Sequence, residues 1–282
     1  NIINGAIVLG PKSNQKVNNV TITNNLVNST YNTAVILSSK SSNITVSNNT
    51  LYAKTTAANN AVDNKGTGNV ISDNLPLNYI TITDDTYNNY FDDDGIFNYT
   101  VPFYIDKIVL EGAFINNNIF TFVENNLTLT GKDENTILYN ATITIDGDAN
   151  FTINNLKIIS TDIENHNSII LNTEHNTVDN VTIIQNATSG KAQVILINAD
   201  NNQVINSNIT VTGPSDSVDY FSDPAIAPTV NIIVSSNNNT IANNYLYTYA
   251  STASGYGTIE SVTVQAPTGV TLENNKIINN TV

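Results

Sequence analysis

A six-residue frame recurs along this chain: an apolar residue, any residue, Asn, any two residues, and a second apolar residue, as in Val178-Asp179-Asn180-Val181-Thr182-Ile183. The copies fall into two groups, one before residue 52 and one after residue 152. Within these groups, neighbouring copies are 24, 25 or 26 residues apart, and two longer steps of 37 and 31 residues indicate insertions. A repeat that keeps its period and admits insertions is typical of a solenoid, in which each coil contacts only its neighbours. The central residues of the seven copies are Asn24, Asn48, Asn155, Asn180, Asn206, Asn243 and Asn274.

The flanks of the frame predict short strands. Runs such as Val20-Thr21-Ile22 and Ile44-Thr45-Val46 alternate at period two and lack helical spacing. Three short strands and three bends fit in ~25 residues at about 3.3 Å per strand residue, which predicts an all-β fold, a right-handed parallel β-helix. Asn tolerates positive φ at a bend, and coils stack about 4.8 Å apart. We therefore expect the seven framed Asn side chains to form a structural, hydrogen-bonded ladder inside the wall.

The charge balance limits the possible partners. With 24 acidic and 10 basic residues the net charge is −14, so phosphate backbones and anionic membrane surfaces are repelled. We expect no nucleic-acid partner, and no direct membrane insertion because the sequence has no run of 18 apolar residues. The absence of Cys excludes a disulfide scaffold. The chain starts without Met inside a repeat, so we expect a piece of a longer protein whose export signal lies elsewhere.

Residues near 85–95 depart from the repeat pattern. Tyr87, Tyr90 and Phe91 have the spacing of one helical face, with Asp residues at the start and Gly95 at the end. This pattern predicts a short capped helix. Its aromatic face would cover the open end of a β-helix, which otherwise exposes core and a strand edge.

This helix also suggests a domain boundary near residue 79. Residues 1–78 are predicted to form the last coils of a first β-helix, whose third frame is degenerate because Asp73 replaces the Asn and Pro76 removes a backbone donor. Residues 79–282 are predicted to form a second β-helix that begins with the aromatic cap. The alternative is one continuous β-helix with a helical insert.

The repeats and this aromatic-acidic segment resemble a known family. The frame, together with Tyr87-Asn88-Asn89-Tyr90-Phe91-Asp92-Asp93-Asp94-Gly95 and Leu127-Thr128-Leu129-Thr130-Gly131, is similar to the Asn/Thr-rich adhesin-like surface proteins of methanogenic archaea, which have pectate-lyase-like β-helix repeats. The resemblance implies export, display at the cell surface or in the cell wall, and non-catalytic attachment to glycans or to surface proteins of other cells. It supplies no catalytic residues. We expect no cofactor other than a possible calcium ion.

Two alternative functions remain open at this stage. The first is a purely structural stalk or cell-wall spacer. The second is a polysaccharide lyase or hydrolase, since many β-helices cleave acidic polysaccharides. A lyase resembling pectate lyase needs a strongly basic proton abstractor, usually Arg, and a hydrolase resembling polygalacturonase needs paired Asp residues with His and Arg-x-Lys companions. The sequence contains no Arg, so we expect no enzyme.

Two groups of residues suggest metal chemistry. The Asp-rich turn before Gly95 is a possible calcium site, with Asp92 and Asp94 as ligands, although Tyr90 stands where an EF-type loop needs an acidic or amide residue. His166 and His175 each lie beside a Glu or Asn in a polar segment, and we expect both to be solvated bend residues.

Two insertions are the best candidates for a ligand-binding site. Residues 213–229 and 249–260 each follow the strand after a framed Asn, so both should leave the same bend of successive coils and lie side by side. Aromatic rings flanked by carboxylates suit sugar rings and their hydroxyls, although these loops could instead fold down and cover the sheet. The candidate residues are Asp216, Asp219, Tyr220, Phe221, Asp223, Tyr249 and Tyr256, beside Tyr245 and Tyr247.

The sequence also contains many Asn-x-Ser/Thr triplets, the acceptor motif of N-glycosylation. The framed Asn48 and Asn180 are predicted to face inward and to stay unmodified. Asn28 and Asn186, at predicted bends, are the candidates for carrying glycan.

Overall fold

The structure is a computed structural model that describes residues 1–10, 16–76, 78–101, 105–124, 126–147, 150–215, 229–253, 259–266 and 270–282. The described residues are nearly all-β, with 54% strand and 4% helix, and their parallel sheets form β-solenoid coils, about nine in all. The predicted all-β parallel β-helix is confirmed. Hydrogen-bonded partners in neighbouring coils are typically 24 to 26 residues apart, as the frame spacing predicts.

The chain divides into two compact units. Asn1–Ile80 and Thr100–Asp106 form the first unit, and Thr81–Tyr99 and Lys107–Val282 form the second. That residues 1–78 end one β-helix and residues 79–282 begin another stays a prediction, as does the alternative of one continuous β-helix.

The first unit has four strands per coil where three were predicted. Its parallel sheets have the orders β1-β5-β9, β2-β6-β10, β4-β8-β11 and β3-β7. The 3₁₀ helix Ala58–Ala61 precedes the strand Val62–Asn64. The strands are β1 Ile2–Asn4, β2 Ile7–Leu9, β3 Val17–Asn18, β4 Thr21–Thr23, β5 Leu26–Ser29, β6 Val35–Leu37, β7 Ser41–Ser42, β8 Thr45–Ser47, β9 Thr50–Ala53, β10 Val62–Asn64 and β11 Val70–Ser72.

Strand register builds the core of this unit from stacked aliphatic residues. Val27 of β5 pairs with Leu51 of β9, and Ile22 of β4 pairs with Val46 of β8. All four side chains are buried. Their neighbours Thr21 and Thr45 are exposed and partly exposed, respectively. The period-two alternation therefore places one aliphatic column on the inner side of each sheet.

The second unit contains two large parallel sheets. The first has the order β12-β13-β16-β19-β22-β24-β27-β30, and the second joins β14-β17-β20-β23 to β15-β18-β21 through the 16-residue strand β23. The strands are β12 Tyr79–Ile82, β13 Lys107–Leu110, β14 Ala113–Phe114, β15 Ile119–Phe122, β16 Thr128–Gly131, β17 Ile137–Tyr139, β18 Thr142–Ile145, β19 Thr152–Asn154, β20 Lys157–His166, β21 Ile169–Leu171, β22 Thr177–Asp179, β23 Thr182–Ile197, β24 Gln203–Ile205, β25 Asn208–Ser215, β26 Thr229–Val234, β27 Thr240–Ala242, β28 Tyr245–Ala253, β29 Ile259–Val264 and β30 Lys276–Ile278.

The predicted helix near 85–95 is shorter than expected. The 3₁₀ helix Asp84–Asn89 ends before Tyr90, and the predicted extension to Gly95 is wrong. The reason is the turn that follows, in which Asp92 and Ile96 exchange backbone and side-chain hydrogen bonds. A role of this segment as the cap of a β-helix stays a prediction.

Aromatic side chains from this segment pack into the second unit. Phe91 is buried, and its ring stacks on Tyr87 with centroids 4.5 Å apart. It also makes edge contacts with Phe97 and Phe120 at 5.3 Å and with Phe122 at 5.6 Å. The aromatic residues of the helical segment therefore belong to the core of the coils that follow.

Candidate functional site

The framed Asn residues occupy the predicted bends, but their side chains face solvent. Asn24, Asn48, Asn155, Asn180, Asn206 and Asn243 have φ between 50° and 59°, in the left-handed region that Asn tolerates. All six are exposed, so the predicted inward orientation is wrong, including that of Asn48 and Asn180. The positive φ at the bend interrupts the alternation of inward- and outward-facing side chains. The side chain of the following residue therefore points towards the interior of the coil.

The hydrogen-bonded ladder of the first unit is therefore built from those following residues. Asn25 donates its backbone N–H and its Nδ2 to Oδ1 of Asn49, both at 3.0 Å. Asn49 donates in the same way to Asn74, and Asn74 to Asn59. The Nδ2 of Asn49 also donates to the carbonyl of Ile22 at 2.9 Å. A ladder exists, shifted by one residue from its predicted position.

The second unit has two such ladders, one at each of two bends. In the first, Oδ1 of Asn176, Asn202, Asn239 and Asn275 accepts a backbone N–H from the preceding coil at 2.7 to 2.9 Å. In the second, the N–H groups of Ser207 and Asn244 donate to the Oδ1 atoms of Asn244 and Asn280 at 2.9 Å. Both ladders satisfy backbone donors at corners, where the strand pairing is interrupted.

Asn274 belongs to a different bend from the other framed residues. Ile241 of β27 pairs with Ile277 of β30, and the N–H of Asn243 donates to the carbonyl of Ile278. The counterpart of Asn243 is therefore Asn279, with φ 53°. Asn274, with φ 61°, follows Glu273, whose carbonyl accepts the N–H of Asn238. The assignment of Asn274 to the framed column is wrong because each coil contains two left-handed bends with similar sequence.

Both insertions leave the solenoid from neighbouring strand ends. Thr212 of β25 pairs with Tyr249 of β28, and Gly213 pairs with Ala250. On the returning side, Thr229 of β26 pairs with Ile259 of β29. The bases of the two insertions are therefore side by side. The candidate residues Asp216, Asp219, Tyr220, Phe221, Asp223 and Tyr256 lie outside the described residues, and their role in binding stays a prediction.

Three tyrosines of β28 form an exposed line, which we call the tyrosine row: Tyr245, Tyr247 and Tyr249. Their exposed fractions are 49%, 47% and 55%. The intervening Leu246 is buried and Thr248 points inward to Asn231. The described residues provide neither a ring contact nor a hydrogen-bond partner for the three side chains.

The tyrosine row borders an outer sheet face with almost no charge. Register places Asn208, Thr210 and Thr212 of β25 beside the three tyrosines. Two further strands continue the face, and Lys157 is the one charged residue among these twelve positions. We call this set the outer face. Its members are Tyr245, Tyr247, Tyr249, Asn208, Thr210, Thr212, Thr182, Ile184, Asn186, Lys157, Ile159 and Thr161.

Behind the outer face lies a buried polar seam. Ser168 donates to Oε1 of Gln185 at 2.9 Å, and Nδ2 of Asn231 donates to Oγ1 of Thr248 at 2.7 Å. All four side chains are buried or partly buried. Sequence analysis did not identify this seam, although the period-two alternation contains a signal for it. Gln185 lies two residues after the buried Ile183 of β23, so its amide is turned inward with the apolar residues.

The two histidines differ from each other. His175 is an exposed bend residue with φ 60°, as predicted. His166 ends β20 and lies partly buried, with Nε2 3.3 Å from Oγ of Ser160. Burial lowers the pKa of His166, and a backbone hydrogen bond at Ala141 partly opposes that effect. The prediction that His166 is a solvated bend residue is wrong.

The proposed calcium ligands have a structural role in the turn. Oδ1 of Asp92 accepts the N–H of Asp94 at 3.1 Å and that of Ile96 at 2.8 Å. Within the described ranges, no three His, Asp or Glu side chains are grouped so that they could hold a metal ion. Calcium binding at Asp92 and Asp94 stays a prediction.

Comparisons of the chain with protein-family models, with curated proteins and with solved structures gave no match. No helix in the described part of the chain is long and apolar enough to cross a membrane.

Proposed function

We propose that the chain is a non-catalytic attachment segment of an extracellular surface protein, and that it binds cells or glycans through the tyrosine row. The observation that carries the proposal is three tyrosines, each about half exposed, on alternate positions of one strand. Tyrosine combines an apolar ring with a polar hydroxyl, and exposed aromatic groups are enriched at binding surfaces.

The scaffold under the row supports this proposal. Leu246 and Thr248 are anchored inside the coil, and continuous parallel pairing with β25 fixes the row against its neighbour strand. A side chain presented by a paired strand loses less freedom on binding than one on a loop, so preorganisation favours affinity.

The net charge supports a ligand that is neither nucleic acid nor an anionic membrane. The net charge of −14 repels polyanions over the whole chain. Display at the cell surface or in the cell wall is part of the proposal through the resemblance to adhesin-like proteins.

Binding to a glycan array and to intact cells tests the proposal. Wild-type protein should bind, and the triple variant Tyr245→Ser/Tyr247→Ser/Tyr249→Ser should lose binding. Tyr31→Ser is the matched control, because Tyr31 is 67% exposed and belongs to the first unit. Full retention of binding by the triple variant would contradict the proposal.

A structural spacer is the second candidate function, favoured by the buried Asn ladders. Asn49, Asn202 and Asn239 are at most 1% exposed and connect successive coils by side-chain hydrogen bonds. A folded wild-type protein that binds neither glycans nor cells would favour this candidate.

A further inference from the structure

We propose that the ligand of the tyrosine row is an uncharged, extended glycan of pyranose rings with equatorial hydroxyls, lying along β28. This inference rests on the proposed attachment function and assigns the chemical class and the direction of the ligand. It concerns Tyr245, Tyr247 and Tyr249 together with the neighbouring row of β25.

The spacing of the row favours a chain ligand over a single small molecule. Alternate residues of a strand are about 6.6 Å apart, so the three rings follow one another along β28 at a separation comparable to the size of a sugar ring. Their exposed fractions are similar, between 47% and 55%, so no single tyrosine dominates the row. A ligand that repeats along its length can contact all three.

The neighbouring row of β25 provides polar side chains that can form hydrogen bonds with the ligand. Asn208, Thr210 and Thr212 lie one strand away, at about 4.8 Å. These side chains carry two hydroxyls and one amide, which can donate to and accept from sugar hydroxyls. Pyranose rings with equatorial hydroxyls have C–H faces that pack on aromatic rings and hydroxyls at the ring edge that reach such a neighbouring row.

The charge distribution of the outer face and of the whole chain favours a neutral glycan over an anionic one. The outer face has no carboxylate and one Lys, whereas the chain carries 24 acidic residues. A polyuronate would have no paired cation along the row and would approach a protein of net charge −14. The negative electrostatic potential of the protein does not repel an uncharged glycan.

Calorimetric titration with oligosaccharides of defined length tests the inference. The probes are neutral β-1,4-linked xylo- and cello-oligosaccharides of two to six rings and β-1,4-linked oligoglucuronates of the same lengths, which keep the equatorial hydroxyls and add a carboxylate. We expect affinity for neutral probes to rise up to about four rings and then level off, and oligoglucuronates to bind at least about tenfold more weakly. Equal affinity for the anionic probes would overturn the charge assignment.

Variants then locate the ligand. Tyr247→Ser should weaken binding by about tenfold, while Tyr247→Phe, which keeps the ring, should retain it within about threefold. Thr210→Val should weaken binding without changing its length dependence, and Tyr31→Ser should have no effect. Circular dichroism confirms that each variant is folded. Binding that is insensitive to Tyr247→Ser would overturn the inference.

The outcomes distinguish this inference from the proposed function. If no neutral oligosaccharide binds, but array or cell binding still depends on the tyrosine row, the ligand class is wrong and the attachment function stands. A protein ligand on the cells is one such result. If neither assay detects binding by the wild type, both the inference and the proposed function fail.

Discussion

The Oδ1 atom of Asn74 accepts two hydrogen bonds from Asn49, one from the backbone N–H at 3.1 Å and one from Nδ2 at 3.0 Å. Asn49 in turn offers its own Oδ1 to Asn25 in the same way. Each side chain thus satisfies a corner amide of the preceding coil while remaining buried. These side-chain hydrogen bonds connect successive coils at the corners, where the hydrogen bonding between strands is interrupted.

The first prediction concerns this ladder. Asn49→Leu fills similar space but leaves the N–H of Asn25 and the carbonyl of Ile22 without their partner. Each buried unsatisfied group costs about 1–3 kcal/mol, so we expect the free energy of unfolding to fall by about 3 kcal/mol. Urea unfolding followed by far-ultraviolet circular dichroism measures the change.

The neighbouring bend residue is the control for this substitution. Asn48 has φ 55° and is exposed, so Asn48→Gly should change stability by less than about 0.5 kcal/mol, whereas Asn48→Ala should cost about 1 kcal/mol from backbone strain. Equal effects of Asn49→Leu and Asn48→Gly would show that the buried ladder contributes nothing.

The sequence was sufficient to predict the coil but not the orientation of its Asn residues. Doublets such as Asn24-Asn25, Asn48-Asn49 and Asn243-Asn244 contain one residue at positive φ and one ladder residue that is buried or, for Asn25, partly buried. Both positions favour Asn, the first for its tolerance of left-handed backbone and the second for its paired donor and acceptor. The sequence period alone does not show which Asn of a doublet occupies the left-handed bend and which one forms the ladder. The structure does, because strand register fixes which residue points inward.

The candidate site was predictable in part. The alternation of Tyr245, Leu246 and Tyr247 indicates a strand with its aromatic residues on one side, and the insertion spacing placed Tyr249 beside them. The uncharged row of Asn208 and Thr210 could not be recognised from sequence, because it depends on the register between strands 37 residues apart.

The second prediction concerns His166. Burial lowers its pKa in the folded protein, so the unfolded chain binds the proton first as pH falls. Stability is therefore retained above the unfolded value of about 6.5 and is lost as pH decreases through the lower folded pKa. His166→Gln should flatten this part of the pH dependence, measured by urea midpoints between about pH 7.5 and pH 5. A pH dependence in His166→Gln as steep as that of the wild type would contradict the assignment.

The third prediction concerns the aromatic cluster. Phe91 is 2% exposed and contacts the rings of Tyr87, Phe120 and Phe122. Phe91→Ala removes these contacts and leaves a cavity, so we expect a loss of about 3–5 kcal/mol in the free energy of unfolding. Tyr31→Ala, at an exposed site, should cost less than about 0.5 kcal/mol. A loss below about 1 kcal/mol for Phe91→Ala would show that these aromatic residues are not an integral part of the core.

The fourth prediction concerns the phenol of Tyr87, which donates a hydrogen bond to the carbonyl of Ile119. Burial raises its pKa to about 12, and the negative charge of Asp92 adds to this shift. Because the folded pKa lies above the unfolded value of about 10, the contribution to stability is complete below pH 10 and is lost as pH rises towards 12. Tyr87→Phe should remove that loss. Urea midpoints across this pH range measure the loss of stability, and ultraviolet titration follows the ionisation of the phenols. If the pH dependence of Tyr87→Phe is as steep as that of the wild type, other groups cause the alkaline loss.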